Sequence, residues 1–136
     1  MLKLFRSAAV LTVLVAAACS DSIGPGDVAG TYTLREVNND ETPPFVVFDD
    51  GDERTEIVSG DFVIRADGTF TSTLVLRETF QGETFPDNPL ESSGTYDLDG
   101  RDITFEDSDF GDTLVGRISG DNLIFDDPGI RLVFTR

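Results

Sequence analysis

The groups able to do chemistry in this sequence are carboxylates and a single thiol. There is no His and no Trp, Cys19 is the lone Cys, and 26 Asp and Glu face 10 Lys and Arg. Without imidazole, a Ser/His/Asp triad cannot be assembled, and a zinc centre lacks its usual ligands. The densest acid runs are Asp49-Asp50-Gly51-Asp52-Glu53 and Glu106-Asp107-Ser108-Asp109. Oxygen clusters of this kind suit Ca²⁺, but neither run has the EF-hand spacing with its Gly and its late Glu. They read better as solubilising turn acids, so no metal and no other cofactor is expected. Paired carboxylates are also the machinery of glycosidases. Here alternation sends nearly every acid to a turn or an outer face, with Glu36, Glu78 and Glu106 ambiguous, so catalysis is not expected.

Cys19 closes an export pattern. Met1–Arg6 is a short basic region, Ser7–Val15 is apolar, and Ala16-Ala17-Ala18 supplies the small residues that precede a cleavage site. The uncharged run from Ser7 to Ser20 is shorter than the ~20 apolar residues a membrane span needs. Small residues followed directly by Cys resemble the lipobox of bacterial lipoproteins. On that resemblance residues 1–18 are a signal peptide, and Cys19 is the lipid attachment site, carrying palmitate-type acyl chains that hold the protein to a membrane. Two chains or more give stable anchoring where one is marginal. Ala16-x-Ala18 also suits an ordinary signal peptidase, which would leave Cys19 a free thiol. A lone unpaired thiol is a liability in an oxidising compartment and argues for its modification. Ser20, standing where the inner-membrane sorting pattern has Asp, favours the outer membrane if the cell is Gram-negative.

After residue 18 the chain has 8 Arg, no Lys and 26 acids, a net charge of −18. Such a surface repels nucleic acid. Residues 19–29, with Gly24-Pro25-Gly26 at their centre, read as a flexible tether. From Gly30 the apolar residues recur with a period of two. Nine strand segments follow: 30–38, 44–48, 54–66, 69–80, 91–98, 101–106, 112–118, 121–126 and 130–135. Ser59-Gly60 suggests a bulge in the third. Asp67-Gly68, Asp99-Gly100, Gly111-Asp112, Gly120-Asp121 and Asp127-Pro128-Gly129 are turn signals between strands. An all-β antiparallel up-and-down meander of eight to nine strands results. It hides its two edges by closing into a barrel over residues 30–136.

At the start of that domain, Gly30-Thr31-Tyr32 resembles the Gly-x-Trp opening of lipocalins. The phrases Ala66-Asp67-Gly68-Thr69-Phe70, Ser93-Gly94-Thr95-Tyr96 and Ser119-Gly120-Asp121-Asn122-Leu123 look like those of small bacterial lipocalin-like lipoproteins. The resemblance implies that an Arg from the last strand covers the first-strand aromatic. Arg131 and Arg136 are the counterparts available to close the barrel with Gly30 and Tyr32.

Two functions stay open. One is a binding barrel that holds a small apolar ligand among Tyr32, Phe62, Phe70, Ser72, Leu74, Leu76, Tyr96, Phe105, Phe125 and Phe134. Its polar handles would be the two phenols and Ser72, with Gly116 and Ser72 leaving room. A ligand carboxylate would stay at the mouth near Arg54 or Arg77. The other is a filled barrel that acts through its outer surface. The long connections 38–54 and 81–91 carry Phe45, Phe48 and Phe85, which either frame a mouth or plug it.

Overall fold

A computed structural model describes residues 22–136. The expected signal peptide, residues 1–18, and Cys19 lie outside the described residues. Ten strands follow one turn of helix, α1 (Pro25–Val28). They are β1 (Gly30–Val37), β2 (Phe45–Asp49), β3 (Glu53–Ile64), β4 (Thr69–Phe80), β5 (Glu83–Thr84), β6 (Asn88–Asp99), β7 (Asp102–Asp107), β8 (Thr113–Ser119), β9 (Asn122–Asp127) and β10 (Ile130–Thr135). Every pairing is antiparallel. The sheet runs β2-β3-β1-β10-β9-β8-β7-β6-β4-β5, and the β3–β4 ladder closes it into an eight-stranded barrel, with β2 and β5 as spurs. Each of the nine expected segments is a strand; β5 is an added two-residue strand, and β6 begins at Asn88, ahead of the expected 91.

Closure follows from alternation. On each strand the apolar face turns inward, and eight strands enclose a space that side chains can just fill. Phe62 sits at its centre, with the rings of Phe105, Phe134 and Phe125 at 5.1–5.2 Å between centroids and Phe70 at 6.1 Å. These spacings are those of favourable ring pairs, stacked for Phe70 and tilted or edge-on for the other three. Gly116 does not leave room, contrary to expectation: a Cβ there would lie 2.9 Å from the Phe125 ring and 3.1 Å from Leu123. Its missing side chain is already filled by neighbours. Ile103, Ile118 and Leu123 complete the packing.

The bulge in β3 falls at Val58, one residue before the expected Ser59-Gly60. Ile57 pairs with Leu76 and Ser59 with Val75, which leaves Val58 unmatched. Gly60 serves packing instead, since Leu74 and Phe134 press onto its α-carbon.

The two ends of the barrel differ. The tight turns Asp67-Gly68, Gly100-Arg101 and Gly120-Asp121 gather at one end, together with α1 and the C-terminus. The long connections 38–54 and 81–91 both lie at the other, because an even number of strands separates them. There β3 and β4 stay paired as far as Glu53↔Phe80, and β2 and β5 flank that extension as a flap.

The tether expectation needs correction over residues 23–29, since Ile23 also packs against the core. Val28 is fully buried, and the helical turn it belongs to packs beneath the barrel. Composition hid this: one valine among Gly, Pro and Asp looks like a linker, yet it is the residue that stoppers the interior.

Candidate functional site

At the closed end each aromatic hydroxyl is used for structure. Tyr32 is wholly buried, and its hydroxyl donates to the Val28 carbonyl at 2.8 Å. The Tyr96 hydroxyl donates to the Arg65 carbonyl at 2.6 Å. Burial holds both phenols above the usual tyrosine range, and for Tyr32 the nearby Arg136 charge offsets part of that rise. Neither phenol is thus a handle for a ligand. Arg136 stands over Tyr32 with its guanidinium carbon 5.6 Å from the ring centroid. It donates to the carbonyls of Asp27 and Ala29 and pairs with Asp121 at 3.1 Å. Gly30 lies directly beneath it: a Cβ there would come within 2.6 Å of the Arg136 Cδ.

Arg131, the other counterpart considered, is at the opposite end. Its backbone N–H donates to the Asn38 side chain, and its carbonyl accepts from the Asn38 N–H, which pins the end of β1 to the start of β10. Its Nε is buried without a partner.

The open end holds an apolar recess that reaches into the barrel. It has a volume of about 220 Å³. Phe62 and Phe134 form the floor, and Leu74, Leu90, Leu114 and Leu132 form the walls. Ser72 and Ser92, opposite each other on β4 and β6, border it with Thr73 and Glu91. Of the ten expected interior residues, Phe62, Ser72, Leu74 and Phe134 line this space. Tyr32, Phe70, Tyr96, Phe105 and Phe125 are packed in the core, and Leu76 lies against it. Ser92, Leu90 and Leu132 were missed as lining residues. Leu132 already showed the right alternation and Ser92 fell within the expected segment 91–98, but Leu90 precedes that segment, where Pro89 masks the strand.

A more polar recess of about 460 Å³ adjoins along β4 and β6, bordered by Thr71, Ser93 and Asp109. The Ser92 hydroxyl donates to the Asp107 carboxylate. That bond, with backbone N–H donors from Asp109 and Phe110, holds the Asp107 carboxyl below the usual range.

The mouth residues divide. Phe45 is buried against the core, pairing with Ile57, so it plugs. Phe48 and Phe85 are half exposed and frame the rim, alongside Phe80 and Phe110, the latter 81% exposed. Arg54 and Arg77 are at this end but already engaged. Arg54 bonds Glu56 at 2.8 Å and Asp49 at 3.5 Å, and Arg77 bonds Asp87 at 2.8 Å. Neither is the unpaired cation expected to receive a carboxylate. Glu56, a buried carboxylate at 8% exposure, is satisfied by its Arg54 pair. Sequence reasoning missed it, although Arg54 and Glu56 share a strand face.

The acid runs fold onto their own turns. Asp50 accepts from the N–H of Asp52 and Glu53, Asp49 from Gly51, and Asp107 from Asp109 and Phe110. Among the described residues no three acids or thiols are grouped to hold a metal. Glu36 pairs opposite Val133, and Glu106 lies between Thr95 and Thr113, both on the outer face; Glu78 lies opposite Thr55 on the flap.

The class defined by these features is a closed eight-stranded antiparallel barrel, sealed at one end and recessed at the other. Comparison with family models, with curated proteins and with solved structures gave no match.

Proposed function

We propose that this chain is a lipid-anchored cell-envelope lipoprotein with a lipocalin-like barrel, and that its open end takes up one end of a small apolar ligand. The observation that carries the reading is the recess between Leu74, Leu90, Leu114 and Leu132. An apolar cavity of about 150 Å³ suffices for a benzene-sized group, whereas whole drug-sized ligands occupy about 300 Å³ or more. A space of about 220 Å³ therefore fits a chain terminus or a single ring, with the rest of the ligand lying on the rim. The lipocalin-like assignment is supported by Gly30, Tyr32 and Arg136, which stand as the resemblance implies.

The anchor at Cys19 is supported by the export pattern. It also has a geometric consequence. The chain enters the fold at Ile23, on the closed end, and the four residues 19–22 span at most about 14 Å when extended. An acylated Cys19 in an outer or other envelope membrane thus holds the barrel with its mouth turned away from that membrane.

Uptake of a hydrophobic fluorophore, displaced by neutral apolar compounds, tests the ligand reading. Leu74→Trp should abolish uptake while circular dichroism stays that of a β-barrel. A folded protein that takes up no fluorophore overturns it. The alternative would then hold: a filled barrel acting through its outer surface, as the packed rings around Phe62 favour. Cell fractionation tests the anchor: Cys19→Ser should release the protein from the membrane.

A further inference from the structure

The acids are not spread evenly over the barrel. Segments 38–57, 77–91, 106–113 and 126–131, at the open end, hold seventeen acids against Arg54, Arg77 and Arg131. Segments 22–33, 61–69, 95–103, 117–123 and 135–136, at the closed end, hold seven against Arg65, Arg101, Arg117 and Arg136. Two of the three open-end arginines are already consumed by Asp49, Glu56 and Asp87. The same end exposes Phe48, Phe80, Phe85, Leu90, Phe110 and Leu114. Apolar side chains are normally scattered singly on a surface; gathered at one end around a recess, they mark a contact site.

We infer that the open end docks a basic amphipathic segment of a partner protein. One apolar side chain of that segment enters the recess above Phe62, its neighbours lie on the aromatic rim, and its Lys and Arg meet the surrounding carboxylates. Both components are needed: the apolar rim supplies contact area, and the acidic field selects the sign of the partner and speeds encounter. The same field argues against a bilayer as the occupant, since anionic lipid headgroups repel a rim of this charge. It argues against an anionic amphiphile too, because Glu91 is the charged residue at the recess wall. The inference uses the same recess as the proposed ligand binding but draws contact area from the exposed rim as well, and it does not rest on the lipid anchor.

The test uses the protein as purified from its own cells and a fluorescent synthetic Leu/Lys helix of about 18 residues, with its Leu/Glu counterpart as control. The Lys peptide should bind, and raising NaCl from about 50 to about 500 mM should weaken it about tenfold or more. Phe80→Ser with Phe110→Ser should also weaken it about tenfold, because both rings are on the rim and outside the core. The Glu peptide should not bind. Equal binding of both peptides, no binding of the Lys peptide, or binding unchanged in the double variant overturns the inference. So does docking to anionic vesicles in preference to the Lys peptide. Fluorophore uptake without peptide binding would remove this inference and leave the small-ligand reading standing. Peptide binding without fluorophore uptake would do the reverse.

Discussion

Arg136 lies across Tyr32, 5.6 Å from its ring centroid, and from there reaches the backbone carbonyls of Asp27 and Ala29. The last residue of the chain thereby clamps the incoming segment onto the first strand. Residues 27–32 and Arg136, far apart in sequence, are joined at one guanidinium, while the aliphatic stem of Arg136 lies over the α-carbon of Gly30.

Replacing that guanidinium should loosen the closed end. A cation over an aromatic face contributes roughly 0.5–2 kcal/mol, and hydrogen bonds from a charged donor add to it. Arg136→Met is expected to lower unfolding free energy by about 2 kcal/mol in urea titration. Arg131→Met should be neutral or stabilising, because it removes a buried Nε that has no partner. Equal losses for the two variants would contradict the assignment of Arg136 as the clamp.

The phenols make the fold sensitive to alkali. Burial raises the Tyr32 and Tyr96 pKa above their ordinary value of 10.0, so above that pH the unfolded chain releases protons that the folded one keeps. Stability from this source is complete below pH 10.0 and is lost as pH rises through the higher folded values. Tyr32→Phe should flatten the decline measured between about pH 9 and pH 11. At neutral pH the same variant should cost about 1–2 kcal/mol, since the Val28 carbonyl loses its buried donor.

Asp107 works in the opposite direction. Its carboxyl is held down first by the Ser92 hydroxyl and then by the N–H groups of Phe110 and Asp109. Its contribution is present above the ordinary carboxylate value of 3.8 and is lost as pH falls through the lower folded one. Ser92→Ala should raise the Asp107 pKa, observable by NMR titration of its carboxyl carbon. An unchanged value would show that the turn amides alone account for the shift.

Gly94 should tolerate no side chain. A Cβ there would stand 1.9 Å from the Glu106 carbonyl oxygen, which is backbone and cannot swing aside. Gly94→Ala is expected to cost about 3 kcal/mol or prevent folding. Gly116→Ala meets only the Phe125 ring and Leu123, which can shift slightly, and should cost about 1–2 kcal/mol. Thermal unfolding of the two variants side by side checks the order.

Much of the barrel was legible because its signals are local. Period-two alternation needs only neighbouring residues, as in Phe62-x-Ile64 or Phe105 with Ile103, and Asp-Gly pairs mark turns from their own backbone preferences. Even the shared end of the two long connections follows from counting two strands between them. The candidate site was far less legible. Phe62, Ser72, Leu74 and Phe134 were named, but so were five residues that packing consumes entirely. Alternation tells which face a side chain takes and not how far along the barrel its neighbours fill the space.

The sequence by itself determined an acidic, all-β chain and which face each strand residue takes, because charge, turn chemistry and periodicity are properties of short stretches. Only the tertiary structure decided which arginine clamps Tyr32, that Val28 is a stopper and not part of a linker, and that the free volume is at the mouth. Those outcomes depend on register and closure. The bulge at Val58 and the pairing of Thr33 with Thr135 set which residues face each other across the barrel. Free volume is what remains after every ring has found its neighbours, a sum over distant residues that no local pattern contains.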